Sequence, residues 1–407
     1  MVRKLAVFPR KIKLEILNPN VALTMLFSFQ GALSLGIAWG WWPKLPLVLL
    51  LAILLTFVLL KALFELKRLP RLSLGEVVFY GLLTWVSFIQ LVSYLDVGSS
   101  YPEEYQRTLG TTLVGAWAAA VAGYSLANLS LRYKLTVWVA QALTVWVGSY
   151  LGWKHLGQVF FLFYDPDNAH LTDFKTNYLL VGDMLAIASV IVLGELISLH
   201  KRGFSPLGFY WLSLWTLFLA FSRSSLVFGG TALTLFWLLG AWRLFRFLLA
   251  ALIGIVSLAY LSLASGMQAV LVERVAVASG RIVALVEGTD ASYSERLELL
   301  GGASEYLGRH WVLGKFLYEV TDGPGLGSYV HNWISFWLQF GVGPFALSIA
   351  LIMYLFTKAV RAKADVEIAL LVFAVLSLIF ARAYVWIYYW FIMAYVLASL
   401  RRRKHRG

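Results

Sequence analysis

Cysteine is missing from this 407-residue sequence. Disulfides, thiol nucleophiles, iron–sulfur clusters and cysteine zinc sites are thereby excluded. Charge is almost as scarce: Asp, Glu, Lys and Arg make up 14% of the chain, while hydrophobic residues make up 60% and mean hydropathy is +0.76. Soluble domains carry roughly a quarter charged residues, so a string of soluble domains is ruled out. No G-x-x-x-x-G-K-[ST] loop is present, which excludes an ATP-driven pump acting alone. There is no His-Glu-x-x-His pair either, and neither a tightly held metal nor a cofactor is expected. Ionisable residues inside apolar runs are few, namely Lys61, Asp183 and Glu195. A transporter or lipid-linked oligosaccharide flippase usually needs more of them near the bilayer midplane. Internal repeats and low-complexity tracts are also lacking.

What the chain has is apolar runs near the roughly 20 residues that a transmembrane helix needs. They cover 21–42, 45–64, 75–95, 108–128, 135–153, 177–199, 208–222, 225–241, 245–264, 333–357, 366–381 and 383–400. The expected fold is an all-α polytopic membrane protein of about 12 transmembrane helices, one integral domain over 1–407. Most of the 34 basic residues fall before the first run, after the last, or in the even-numbered gaps, marked by Arg3, Lys67, Arg132, Lys201, Arg243, Arg361 and Arg402. Positive charge stays inside, so both termini are expected in the cytoplasm. The net charge of +13 then reads as a topology signal and an attraction to anionic headgroups, not as a nucleic-acid footprint. The basic amphipathic stretch 2–17 reads as an interfacial helix, and no cleavable signal peptide is expected.

Two outer segments are long, 154–176 and 265–330. Long loops without work to do are uncommon. The second carries a helical period over 292–307 and is read as a partly helical extracytoplasmic lid. Its Gly323-Pro324-Gly325-Leu326-Gly327 run is read as a turn and not as a phosphate loop.

The candidate chemistry gathers at the outer face. Arg223 follows a run of about 14 apolar residues, roughly 21 Å of helix, against a hydrocarbon core of about 30 Å. An arginine held below the surface there is costly unless it meets an anion; Arg382, between the last two runs, is a similar case. His331 is placed at the start of the long run 333–357, where a helix N-terminus lowers a histidine's pKa and attracts anions, so a neutral imidazole there is suited to general-base work. Asn332 follows it. Arg274, Arg281 and Arg296 in the lid suit phosphate oxygens, and they suit local ion pairs with Glu273, Glu287 and Glu295 as well. Asn177 and Asp183 fit sugar positioning or polar helix packing.

Three pieces of this sequence resemble the O-antigen ligase and O-antigen polymerase family of membrane glycosyltransferases. They are Ser222-Arg223-Ser224-Ser225-Leu226; Asp290-Ala291-Ser292-Tyr293-Ser294-Glu295-Arg296 followed by Leu313-Gly314; and His331-Asn332 followed by Gly341-Val342-Gly343. The arginine piece departs from the ligase pattern in having Val227 where leucine is usual. The resemblance implies a GT-C-like fold in the bacterial inner (plasma) membrane and an undecaprenyl-diphosphate-linked glycan as donor, used without metal and with inversion. Arg223, with Arg281 or Arg296, would hold the diphosphate, and His331 would orient or deprotonate the acceptor. Two acceptors follow: another lipid-linked repeat unit for a polymerase, or the phosphate-rich lipid A-core for a ligase. The lid has more carboxylates than cations, which disfavours an anionic acceptor and leans toward polymerase. A chain-length regulator or a flippase would be the protein partners.

Overall fold

The computed structural model describes residues 18–38, 41, 47–64, 72–97, 100–156, 174–199, 205–220, 222–238, 306–322 and 332–404. The helices there are α1 (Pro19–Ser28), α2 (Gln30–Ala38), α3 (Leu47–Phe64), α4 (Leu74–Val97) and α5 (Pro102–Leu109). A π-helical turn (Gly110–Val114) leads into α6 (Gly115–Asn128). Then come α7 (Leu131–Leu156), α8 (Phe174–Leu199), α9 (Ser205–Leu219) and α10 (Arg223–Leu238). The rest are α11 (Tyr318–Thr321), α12 (Ile334–Phe340), α13 (Val342–Arg361), α14 (Asp365–Phe380) and α15 (Tyr388–Lys404). Among the described residues there is no strand. Each apolar run holds one or more of these helices except 245–264, which lies outside the described residues. By length and apolarity, Leu74–Asp96, Leu179–Leu199 and Val342–Arg361 are able to cross a membrane, and Pro19–Ser28 with Gln30–Ile37 makes a fourth span if that pair, bent by 55°, is one crossing.

Local sequence explains several helix ends. Asn18 caps α1 by accepting from the Asn20 amide at 3.1 Å, with Pro19 behind it where a missing N–H costs nothing. Ser73 and Glu76 form a capping box at α4: Ser73 N donates to Glu76 Oε2 at 2.7 Å and Glu76 N to Ser73 Oγ at 3.3 Å.

The centre of the bundle is α15, whose residues 388–399 are all buried. A helix apolar on every side belongs in a core. It packs closely on α6, where Ala116, Ala119, Ala122, Gly123 and Ala127 keep the backbone low. A Cβ on Gly123 would sit 2.1 Å from the Phe391 carbonyl oxygen. Between helices in lipid the hydrophobic effect gives little, so such close van der Waals approach carries the association. By contrast, α4 exposes Val77, Trp85, Phe88 and Leu95 on one face.

One end of the bundle is tied by ion pairs. Arg401 meets Glu76 at 2.7 Å, Arg403 meets Glu367 at 3.2 Å, Arg402 lies 3.9 Å from Glu195, and Lys134 bonds Glu195 as well. These contacts join the start of α4, α7 and α14 to the end of α8 and α15. Residues that the charge bias groups on the inner side therefore share one end.

Three expected helices differ. The run 333–357 is broken at Gly341, which takes φ 82° and separates α12 from α13. The cause is tertiary: Val312 O accepts from Val342 N, and a Cβ at position 341 would fall 2.1 Å from that oxygen. The run 21–42 bends after Ser28. The last helix starts at Tyr388 and not at 383, because 381–387 forms turns around the buried Arg382.

Candidate active site

Opposite the ion-paired end, four segments distant in sequence converge. Asp183 lies nine residues into α8, about 14 Å below its start at 1.5 Å per residue. Gly182 lets the turn before α10 press onto α8, since a Cβ there would come within 2.9 Å of Ser222 Cβ and Ser225 Oγ. Ser225 Oγ then donates to Asp183 Oδ1 at 2.5 Å, and Ser222 and Ser225 hydroxyls lie 2.5 Å apart. Arg382 closes the group. Its Nε donates to Asp183 Oδ2 and its Nη2 to Asp183 Oδ1, each at 2.8 Å, while Trp386 Nε1 donates to Oδ2 at 2.8 Å. Planar fork and carboxylate match in two parallel bonds, and both charges are buried.

The 382–386 segment also holds the fourth element. Tyr384 N donates to Ser335 Oγ at 2.9 Å, and Ser335 Oγ donates to Asn332 O at 2.7 Å. Asn332 Oδ1 accepts from Ile334 N at 2.9 Å, shaping the turn into α12. Residues 317–319 are anchored on the same segment and on α12. Tyr384 Oη donates to Glu319 Oε1 at 2.8 Å, Gln339 Nε2 donates to Glu319 Oε2 at 2.7 Å, and Gln339 Oε1 accepts from Leu317 N at 2.6 Å. Glu319 is fully buried, and no cation among the described residues pairs with it. Burial pushes its carboxyl above the ordinary range, against the pull of the bonds from Gln339 and Tyr384. Lys315 N donates to Leu338 O at 2.8 Å. Gly314, at φ 65°, abuts Gly341: a Cβ on it would lie 2.4 Å from the Gly341 amide nitrogen.

The expected site residues divide as follows. Asp183 and Arg382, read from sequence as separate substrate contacts, are bound to each other. Arg223 is the first residue of α10, directly after the buried Ser222, and α9 before it has 15 residues, about 22 Å. Asn332 stands at the turn beside Ser335, bonded within its own turn. Asn177 lies on α8, six residues before Asp183. His331, Arg274, Arg281 and Arg296 lie outside the described residues. The helix that begins after His331 in the sequence is α12, seven residues long, and not the expected 333–357 helix, so no long helix dipole starts there.

Glu319, Gln339, Tyr384, Ser222 and Ser225 form the hub with Asp183 and Arg382, yet nothing local in the sequence sets Glu319 apart from the other lid carboxylates. The signals in the sequence are the pieces that carry the family resemblance, which hold Ser222 and Ser225 as well as the glycine pair 314 and 341. One pattern runs against the metal-free expectation: Asp165-Pro166-Asp167, two carboxylates one residue apart in the 154–176 segment, outside the described residues. Among the described residues no three His, Cys, Asp or Glu side chains come together. Compared with known proteins, the chain matches no family model, no curated protein and no solved structure.

Proposed function

We propose that this chain is a membrane glycosyltransferase of the O-antigen polymerase kind, taking a glycan from undecaprenyl diphosphate on the outer side of a bacterial plasma membrane. In this reading the helices complete twelve spans of a GT-C-like fold, both termini inside. The observation that carries it is the convergence at one end. The turn that presents Arg223 and the turn that follows His331 both rest on the 382–386 segment, the first through Ser225, Asp183 and Arg382, the second through Ser335 and Tyr384.

The chemistry is coherent with that arrangement. No nucleotide sugar exists outside the cell, so an activated sugar has to arrive on lipid. The acceptor hydroxyl oxygen attacks the anomeric carbon as the bond to the diphosphate oxygen breaks, and the diphosphate leaves with the electron pair. His331 takes the hydroxyl proton, and the anomeric centre inverts. Arg223, with Arg281 or Arg296, holds the developing negative charge. Arg382 and Asp183 serve as positioning residues, since each neutralises the other.

The test is purified protein in nanodiscs with lipid-diphosphate repeat units, reading free undecaprenyl diphosphate, with and without chelator. Release with repeat units alone supports the polymerase. Release only when lipid A-core is added selects the ligase instead, and no release with either acceptor overturns glycan transfer.

A further inference from the structure

A second feature lies at the ion-paired end, far from the site above. There, α8, the α13–α14 turn, the start of α14 and α15 line a half-open cavity of about 460 Å³, within the range of small-molecule sites. Its polar wall holds Glu195, Glu367, Arg402 and Arg403, and its apolar wall holds Ile191, Val366 and Tyr395.

The carboxylates of this cavity are already engaged. Glu195 takes the Lys134 ammonium, and Glu367 accepts from Ser399 Oγ and from Arg403 Nε at 3.2 Å. The guanidinium groups are less engaged. Arg403 reaches Glu367 with a second contact of 3.4 Å, and Arg402 comes no nearer than 3.9 Å to Glu195, beyond hydrogen-bond range. Each guanidinium has five N–H donors. Three cations, Lys134, Arg402 and Arg403, stand here against two carboxylates, Glu195 and Glu367, and the two arginines on the wall keep N–H donors to spare, which asks for an anion. Two guanidinium forks on consecutive residues suit phosphate oxygens. The cavity exceeds what a bare phosphate fills, and Ile191, Val366 and Tyr395 give it an apolar flank, so the phosphate should carry an organic body. Arg401, Arg402, Arg403 and Lys404 end α15 here, the end that the charge bias assigns to the anionic leaflet.

We propose that this cavity binds the phosphate of an anionic phospholipid headgroup through Arg402 and Arg403, on the face opposite the glycan-transfer site. The proposal stands apart from the glycan reading. The test is thermal stability and native mass spectrometry of the full-length protein in neutral detergent, titrated with cardiolipin, phosphatidylglycerol or phosphatidylcholine. Inorganic phosphate and ATP serve as soluble probes of the same chemistry. Anionic lipid should bind and raise the melting temperature. The Arg402→Gln/Arg403→Gln protein should bind it roughly tenfold or more weakly, on the scale of a lost charge-assisted hydrogen bond. Arg401→Gln, which removes the neighbouring arginine paired with Glu76 and not one lining the cavity, should keep it. Equal lipid binding by the double variant overturns the site, and stabilisation by ATP or phosphate but not by anionic lipid overturns the lipid as its ligand. A double variant that fails to fold is replaced by Ser198→Trp, which fills the cavity mouth and should weaken anionic lipid alone; unchanged binding there also overturns the proposal.

Discussion

Removing the Asp183 carboxylate tests the hub on which the candidate site rests. That side chain is 2% exposed and accepts from Arg382 twice, from Trp386 and from Ser225. In Asp183→Ala the Arg382 guanidinium remains buried with no counter-charge from α8. Breaking such a pair from one side costs about 3–5 kcal/mol, or roughly 10²–10⁴-fold in the folded population at 1.4 kcal/mol per decade. Replacing both charges costs less, because the uncompensated ion is gone. In a double-mutant cycle with Arg382→Met, the coupling should reach about 2–3 kcal/mol, the upper part of the range for contacting residues. The measurement is unfolding of the four proteins in mixed micelles, followed by tryptophan emission. Asp183→Ala within about 0.5 kcal/mol of the parent, a change typical of unimportant surface sites, or strictly additive singles, would refute the hub.

Gly341→Ala should cost about 2–4 kcal/mol, from a positive φ and a Cβ 2.1 Å from Val312 O; a melting temperature equal to the parent's would contradict the packed break. Glu319→Gln tests burial of a lid carboxyl. Its folded pKa lies above the unfolded one, so its share of stability is full below the ordinary carboxylate range and is lost as pH rises through the raised value. The variant should match the parent at pH 4 and exceed it at pH 8, and a pH profile parallel to the parent's would dismiss that reading. Because the chain has no cysteine, single thiols report sidedness directly. Leu313→Cys, 72% exposed beside the α13 start, should react with an impermeant maleimide in intact cells, whereas Ser198→Cys should react only after permeabilisation; labelling of both from one side would overturn the orientation.

Where helices lie was readable from apolar runs, because lipid admits backbone only in fully bonded form. Where they break was not. Gly341 is one glycine among 33, and its positive φ is imposed by Gly314 and Val312 from the lid. Asp183 and Arg382 each stood out as a charge in apolar surroundings, but their pairing spans 199 positions and has no local trace. Likewise, the pairing of Arg401 with Glu76, 325 positions apart, leaves no local trace. The buried Glu319 was hidden among lid carboxylates, since burial is a property of the assembled bundle. The Ser222–Ser225 turn and Asn332 were legible as pieces, and their common support on 382–386 was not.

The central claim is that Arg223 and His331 serve one glycan transfer, Arg223 at the departing diphosphate and His331 at the acceptor hydroxyl. Its most direct test is the rate of undecaprenyl diphosphate release by the parent, Arg223→Ala and His331→Ala proteins, compared at equal folded amount in the same nanodiscs. The account predicts that Arg223→Ala falls on the order of 10²–10³-fold, the scale of one lost stabilising donor, and that His331→Ala falls on the order of 10²-fold or more, as for a general base. Release at the parent's rate by either folded variant would contradict it.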